Sequence, residues 1–474
     1  MARPNIVFVL IDDLGWRDLG CYGSTFYETP NLDRLAREGM RFTNAYASCP
    51  VCSPTRASIL TGKYPARVGV TQFIGGRAEG LLKDVPYLHY LPLEETSLAT
   101  ALRNQGYQTW HVGKWHLGDE DFYPERHGFD VNRAGCSWGH PPTYFSPYGN
   151  PRLEDGPPGE YLTDRLTNEA IALIRHRGEK PFYLNFWHYA VHTPIQAPKD
   201  LIEKYRRKAA MLKIDQVPAF LEGEYFPVAH KAQKKVTRRL LQSDPAYAAM
   251  IENLDTNIGR LLQTLQDEGI AENTIVVFTS DNGGLSTAEG APTCNLPLAE
   301  GKGWMYEGGN RVCQLMRWPK GIPAGTQCHV PVTSTDYYAT FLEACGAPSM
   351  PAQHCDGVSL MPLFRGERSL PREAIFWHYP HYSNQGDTPA SAMLSADGRW
   401  KLIEYFEDSS IELYDLVNDL SETRDLSEAQ PERAREMLAV LKAWQRSVLA
   451  KIPEFNPGYP GPRRVPRIPN NAHV

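Results

Sequence analysis

Apolar and polar positions along the chain fall into two regimes. From Asn5 to Ile11 the residues form an unbroken, β-branched apolar run, the pattern of a strand buried on both faces of a parallel sheet. Asp12 and Asp13 follow at its C-terminal end, the edge where open α/β sheets place their ligands. Thr29-Pro30 opens a helix that carries Leu32 and Leu35 and stops at Gly39, and Met40 to Tyr46 reads as the next strand. The alternation continues with a helix from Thr96 to Gln105 closed by Gly106 and a strand from Tyr107 to Val112. A helix from Leu162 to Ile174 and a strand from Pro181 to Tyr189 come next. Met250, Leu254, Leu261, Leu262 and Leu265 form one helical stripe ended by Gly269, before a strand at Thr274 to Thr279 and a helix at Tyr337 to Cys345. Two stretches break the rhythm. Residues 118–160, rich in Gly, Pro and aromatics, read as a long functional loop, and the polar, basic residues 198–246 as helices laid over the surface. The pattern predicts an α/β fold, a large, mostly parallel mixed sheet flanked by helices.

After Pro371 the period shortens. Ala374 to Tyr379, Ala392 to Leu394, Trp400 to Tyr405 and Glu412 to Leu416 read as short strands joined by turns, followed by a helix from Pro431 to Leu449. These predict a smaller C-terminal antiparallel sheet with one covering helix. The Pro-rich end from Pro453 to Val474 predicts an extended tail. The expected division is thus a large unit over 1–370, a small α+β unit over 371–450 and a tail over 451–474.

Composition narrows the function classes. Apolar residues make up 42% of the chain and charged residues 22%, as in ordinary globular proteins, and the net charge of −6 argues against a nucleic-acid partner. The basic runs Lys204 to Lys208 and Lys234 to Arg239 read as solvated helix faces. Nine cysteines, an odd number and mostly isolated, argue against a disulfide framework. No stretch is long enough to span a membrane, and the first apolar run meets two aspartates, unlike a signal-peptide core. As written, the chain is expected to be cytoplasmic; a preceding export signal would make it periplasmic or secreted.

The chemistry concentrates in Cys49-Pro-Val-Cys52-Ser-Pro54-Thr55-Arg56-Ala-Ser-Ile-Leu60-Thr61-Gly62. Pro54 suits the first turn of a helix and Gly62 its end, so Cys52 sits at a helix N-terminus that favours anions, with Arg56 one turn on. Cys49-x-x-Cys52 also allows a redox or zinc pair, although no second pair completes a tetrahedral site. Asp12 with Asp13, and Asp281 with Asn282, supply hard oxygen donors from two strand ends and suit Ca²⁺ or Mg²⁺. Either pair alone has an ordinary reading as a turn former or helix cap. The cationic candidates are Arg56, Lys114, His116, His192 and Lys302, each of which alone could be a surface cation or a histidine satisfied by a carbonyl. Gly301-Lys302-Gly303 lacks the Walker spacing of a phosphate loop.

Taken together, Cys52-Ser-Pro-Thr-Arg56 with Leu60-Thr61-Gly62, Gly113-Lys114-Trp115-His116-Leu117-Gly118 and the Lys302 loop resemble the formylglycine-dependent sulfatases of the alkaline-phosphatase superfamily. The resemblance runs from about Asn5 to about Leu426 and departs at Thr55, where many members carry Ser. It implies that a separate formylglycine-generating enzyme oxidises Cys52 to an aldehyde whose hydrate is the nucleophile. It also implies that Asp12, Asp13, Asp281, Asn282 and the modified Cys52 hold Ca²⁺, or Mg²⁺. Arg56, Lys114 and Lys302 would then offset sulfate charge, His192 and Lys302 would serve the leaving oxygen, and His116 would take the proton that lets sulfate depart. The expected substrate is a sulfated small molecule or saccharide of galactose or N-acetylgalactosamine type. His140, His378 and His381, near the expected pocket mouth and the junction of the two units, are the candidate sugar contacts. A phosphonate monoester or phosphodiester hydrolase on the same residues, and a non-catalytic sulfated-glycan binder, remain the alternatives.

Overall fold

The computed structural model describes residues 3–76 and 79–459. The first half contributes strands β1 (Asn5–Ile11), β2 (Met40–Tyr46), β3 (Gln108–Gly113), β4 (Val131–Arg133) and β5 (Phe182–Trp187). A separate ribbon pairs β6 (Phe220–Tyr225) with β7 (Lys235–Arg239), antiparallel. The large sheet is completed by β8 (Thr274–Ser280), β9 (Arg311–Arg317), β10 (Thr326–Cys328) and β11 (Val332–Thr333). Its order is β10-β2-β9-β8-β1-β5-β3-β4, with β11 also on β2. All pairings are parallel except those of β9, which runs against both β2 and β8. This is the mostly parallel mixed sheet expected, with β9 an addition that shows no apolar alternation in sequence.

Side chains of β1 alternate between two apolar layers. Ile6, Phe8 and Leu10 pack with the helices Cys52–Thr61, Leu98–Asn104 and Asp336–Ala344. Val7, Val9 and Ile11 pack with Leu162–Arg175, Lys199–Leu212 and Pro245–Asp267. All six are fully buried, each worth about 1.5–3 kcal/mol relative to exposure. The strand is therefore fixed from both faces, and Asp12 and Asp13 with it.

Residues 198–246 differ from expectation. Only Lys199–Leu212 is a long helix, and the second basic run lies on a strand. Lys204 and Lys208 reach Glu28 and Glu252 across the surface. Arg238, in contrast, is buried between Glu224 and Glu300 at 2.6 and 2.9 Å. Alternation along β7 turns one member of that basic run inward, where only pairing makes a charge tolerable.

The C-terminal strands β12 (Ala374–Tyr379), β13 (Ala390–Ser395), β14 (Trp400–Tyr405) and β15 (Ile411–Asp415) form an antiparallel sheet in sequence order. One face is covered by the helix Pro431–Ser447, with Trp444 stacked on Phe376 at 4.8 Å. The other face sends Trp377, Tyr379 and Ile403 into a cluster with Tyr46, Trp304 and Tyr306 of the large unit. The expected tail is docked over its first residues: Phe455 bridges Leu82, and Lys83 N–H donates to Glu454 at 2.8 Å. Residues 460–474 lie outside the described residues. Among the described residues no helix is long and apolar enough to cross a membrane.

Lys401 ties the two sheets. Its fully buried ammonium lies 3.0 Å from both Glu307 and Glu422, and Glu307 also receives Arg311 at 3.1 Å and the Tyr46 hydroxyl at 2.9 Å. Burial opposes the Glu307 charge, but Lys401 and Arg311 outweigh it and hold the carboxyl below its usual range. Lys401→Ala removes the cation between two buried carboxylates and should cost about 3–5 kcal/mol, read as a lowered urea midpoint. An unchanged midpoint would contradict this role.

Candidate active site

Sheet direction decides where the candidate residues meet. β8, β1, β5 and β3 are adjacent and parallel, so the residues that follow them emerge on one edge. Asp281 and Asn282 follow β8, Asp12 and Asp13 follow β1, His192 lies beyond β5, and Lys114 and His116 follow β3. β2 runs the same way and delivers Cys52 to that edge. β9 runs the other way, so the segment that precedes it, carrying Lys302, arrives there too.

The Cys52 helix spans Cys52–Thr61 and every residue in it is buried. Gly62 closes it with φ +67°, donating its N–H to Ser58 at 2.8 Å. Thr55 hydroxyl donates to the carbonyls of Cys49 and Val51 at 3.0 and 3.3 Å, fastening the turn before the helix. The interaction needs only a hydroxyl, which Ser would supply as well as Thr.

Opposite charges interleave at the edge. Lys114 Nζ is 2.7 Å from Asp12, Lys302 Nζ is 2.8 Å from Asp13, and Arg56 meets Asp281 at 2.7 Å and Asp12 at 3.8 Å. Lys302 Nζ also lies 2.9 Å from His192 Nε2. Asn282 Nδ2 donates to Asp13 at 2.8 Å, and Asp13 N–H points to Asp281 at 3.3 Å. Cys52 Sγ is 3.4 Å from His116 Nδ1, while His116 Nε2 lies 2.9 Å from the Ile74 carbonyl. Asp13 and His116 both hold left-handed backbone angles, φ +63° and +57°, a cost of order 1–3 kcal/mol that surrounding contacts must offset.

Burial sets the protonation of this cluster. Asp12 is pushed up to about 8, first by desolvation and then by Asp281 and Asp13, against the pull of Lys114. Burial also pushes on Asp13, but Lys302, His192 and Asn282 win and hold it below the usual range. His116 and His192 are both held well below theirs, by burial first and then by Lys114 and Lys302 respectively, so both are neutral. Desolvation raises the Cys52 thiol.

The oxygens fit a hard divalent cation. Asp12 Oδ1 and Asn282 Oδ1 are buried acceptors with no hydrogen-bond partner, and Asp12, Asp13 and His192 place ligand atoms within 4.8 Å of one another. With Asp12 also ionised, as a bound cation would make it, three carboxylates here balance Arg56, Lys114 and Lys302. Two further positive charges on the carboxylate side would leave the cations free to face an anionic substrate.

A family model described as Sulfatase matches residues 4–347, and one described as N-sulphoglucosamine sulphohydrolase, C-terminal, matches residues 300–446. The chain belongs to the sulfatase family. It is 32% identical to a sulfatase of Formosa agariphila over 93% of this chain and 88% of that one. It is also 32% identical to human N-acetylgalactosamine-6-sulfatase, over 82% of this chain and 70% of the relative. The solved structure of Ps i-CgsB in complex with k-i-k-neocarrahexaose matches with TM-score 0.74 and 27% identity, over 93% and 92% of the two chains. The sulfatase membership makes the chain a sulfuric ester hydrolase, and an enzyme rather than a passive binder.

Of the expected sugar contacts, His140 is exposed with its ring stacked on His192 at 5.8 Å, at the mouth of this sulfatase site. His378 and His381 are not brought to the cluster. His378 is buried with its nitrogens on Ser391 Oγ at 2.7 Å and the Lys451 carbonyl at 3.1 Å. His381 is buried between Asp84 at 2.7 Å and Thr71 at 2.9 Å. Both rings spend their polar atoms inside the protein, which corrects their assignment to a sugar. The sequence reading also missed Ser53, whose hydroxyl donates to the His116 carbonyl at 2.9 Å and accepts Ile74 N–H at 3.1 Å. Gly139 packs on the His116 ring so closely that a Cβ there would stand 2.8 Å from Cε1. Ser53 could have been suspected from its place beside Cys52, whereas Gly139 and the Ile74 carbonyl carry no side-chain signal.

A divalent cation that binds these oxygens must stabilise the fold, by about 2.7 kcal/mol at a hundredfold excess over Kd. Thermal unfolding with and without chelator should therefore show a metal-dependent rise in Tm, and Asp12→Ala should abolish it. A rise of the same size in Asp12→Ala would place the ion elsewhere.

Proposed function

We propose that the protein hydrolyses a sulfate ester on a saccharide of galactose or N-acetylgalactosamine type, with formylglycine formed from Cys52 as nucleophile and Ca²⁺, or Mg²⁺, held by Asp12, Asp13, Asp281 and Asn282. One observation carries the reading. Cys52 is 3% exposed and lies in the field of Lys114, Lys302, Asp12 and Asp281, with His116 at 3.4 Å. Similarity to an N-acetylgalactosamine-6-sulfatase and to Ps i-CgsB, solved in complex with k-i-k-neocarrahexaose, supports the sugar class. His140, next to His192, is the residue we assign to sugar contact.

Bound at the carboxylates, the cation supplies charge for the sulfate oxygens and acidity for the attacking hydroxyl. Arg56 and Lys114 keep the anion oriented over residue 52. His192 and Lys302, in contact with each other, stand on the side where the sugar oxygen leaves and needs a proton. His116 presents Nδ1 to residue 52 and receives the proton of its second hydroxyl; the carbon–oxygen bond to sulfate then breaks and the aldehyde returns.

The burial of Cys52 also bears on its maturation. A formylglycine-generating enzyme must take the backbone around its target into its own site, which a residue 3% exposed on a fully buried helix does not allow, so conversion must precede closure of the fold. The modifying enzyme should convert a peptide covering residues 48–62 but leave the folded, unmodified protein untouched. Efficient conversion of the folded protein would contradict this order. For the substrate, product analysis over defined sulfated saccharides, with paired aryl sulfate and phosphonate esters, should show release of sulfate from a galacto-configured sugar. Faster turnover of the phosphonate would favour the rival hydrolase.

A further inference from the structure

His381 was singled out in sequence as a sugar contact, and its surroundings give it different work. Asp84 can only accept, so Nδ1 of His381 carries the proton at 2.7 Å, and Nε2 receives the Thr71 hydroxyl at 2.9 Å. Burial holds His381 below its ordinary pKa despite Asp84, in keeping with that neutral tautomer. Thr71 begins a short strap that Tyr379 and Tyr87 also hold. The Tyr379 hydroxyl donates to Gln72 at 2.6 Å, and the Tyr87 hydroxyl to the Gly76 carbonyl at 2.9 Å. Between these anchors the strap crosses the N-terminal end of the Cys52 helix, where Ile74 N–H donates to Ser53 and the Ile74 carbonyl faces His116 Nε2.

A carbonyl is an acceptor only. The His116 proton must therefore sit on Nε2, and the lone pair on Nδ1 faces residue 52. We propose that Asp84, His381 and Thr71 are positioning residues that hold the strap so that the Ile74 carbonyl fixes the tautomer and orientation of His116. The anchor His381 lies just past β12, so the small C-terminal sheet reaches the nucleophile through the four residues Thr71 to Ile74 and His116. The inference rests on the role of His116 given above, and the experiment separates the two.

Thr71→Val keeps the shape and removes the hydroxyl, His381→Ala removes the acceptor, and His381→Gln can return an acceptor to the Nε2 position. With matured enzyme and 4-nitrophenyl sulfate, Thr71→Val and His381→Ala should lower kcat about ten- to a hundredfold with KM within about twofold, and His381→Gln should recover most of the loss. With unmodified, ¹⁵N-histidine-labelled protein, the signal assigned by its loss in His116→Ala should show a protonated Nε2 in the parent. It should become a mixture of tautomers in Thr71→Val. An unchanged His116 signal in both relay variants, or a change in KM with kcat preserved, overturns the relay. Retention of activity by His116→Ala overturns the role of His116 itself, and with it the reason for the relay.

Discussion

Three carboxylates and three cations lie buried together at one edge of the sheet, and each is tolerable only because of the others. Asp12 pairs with Lys114, Asp13 with Lys302 and Asp281 with Arg56, all within 2.7–2.8 Å. Taking any one of these charges out of water alone costs several kcal/mol, so the chain must bring all six in together. They come from after β1, after β3, after β8, from the Cys52 helix and from the loop before β9. The mixed sheet is the device that assembles them: parallel strands carry four groups of residues to one edge, and the single antiparallel strand returns Lys302 to it.

The pairing is complete in the protein alone, yet two buried oxygens, on Asp12 and Asn282, remain without donors, and Asp12 is pushed up to about 8. A divalent cation relieves both. Held by Asp12, Asp13, Asp281 and Asn282, it would offset the carboxylate charge and leave Lys114, Lys302 and Arg56 to face an incoming anion. The small C-terminal sheet contributes from behind. Lys401 braces the segment after Lys302 through Glu307, and His381 and Tyr379 brace the strap that meets His116.

Much of this was legible in the sequence because it is local. β1 and β8 declare themselves as apolar runs ending in Asp12-Asp13 and Asp281-Asn282, and Pro54 with Gly62 brackets the Cys52 helix correctly. β9 was not legible: Arg311 and Arg317 bound it, and its burial depends on pairing with β8 on one side and with β2, far away in sequence, on the other. The ribbon of β6 and β7 was hidden by its basic residues, since Arg238 is buried only through Glu224 and Glu300. His378 and His381 misled for a related reason. Sequence shows a histidine near a junction, but only the fold shows that Ser391, Lys451, Asp84 and Thr71 already occupy the rings. His140 is exposed beside His192 and spends only Nδ1 locally, on the Pro141 carbonyl at 3.2 Å.

The central claim is that residue 52 performs the chemistry only after it has become an aldehyde. The most direct test takes preparations whose Cys52 is converted to different extents and plots sulfate released per second against the converted fraction, measured by the mass of the peptide carrying residue 52. The account predicts a straight line through the origin. A rate that does not fall as conversion approaches zero would contradict it.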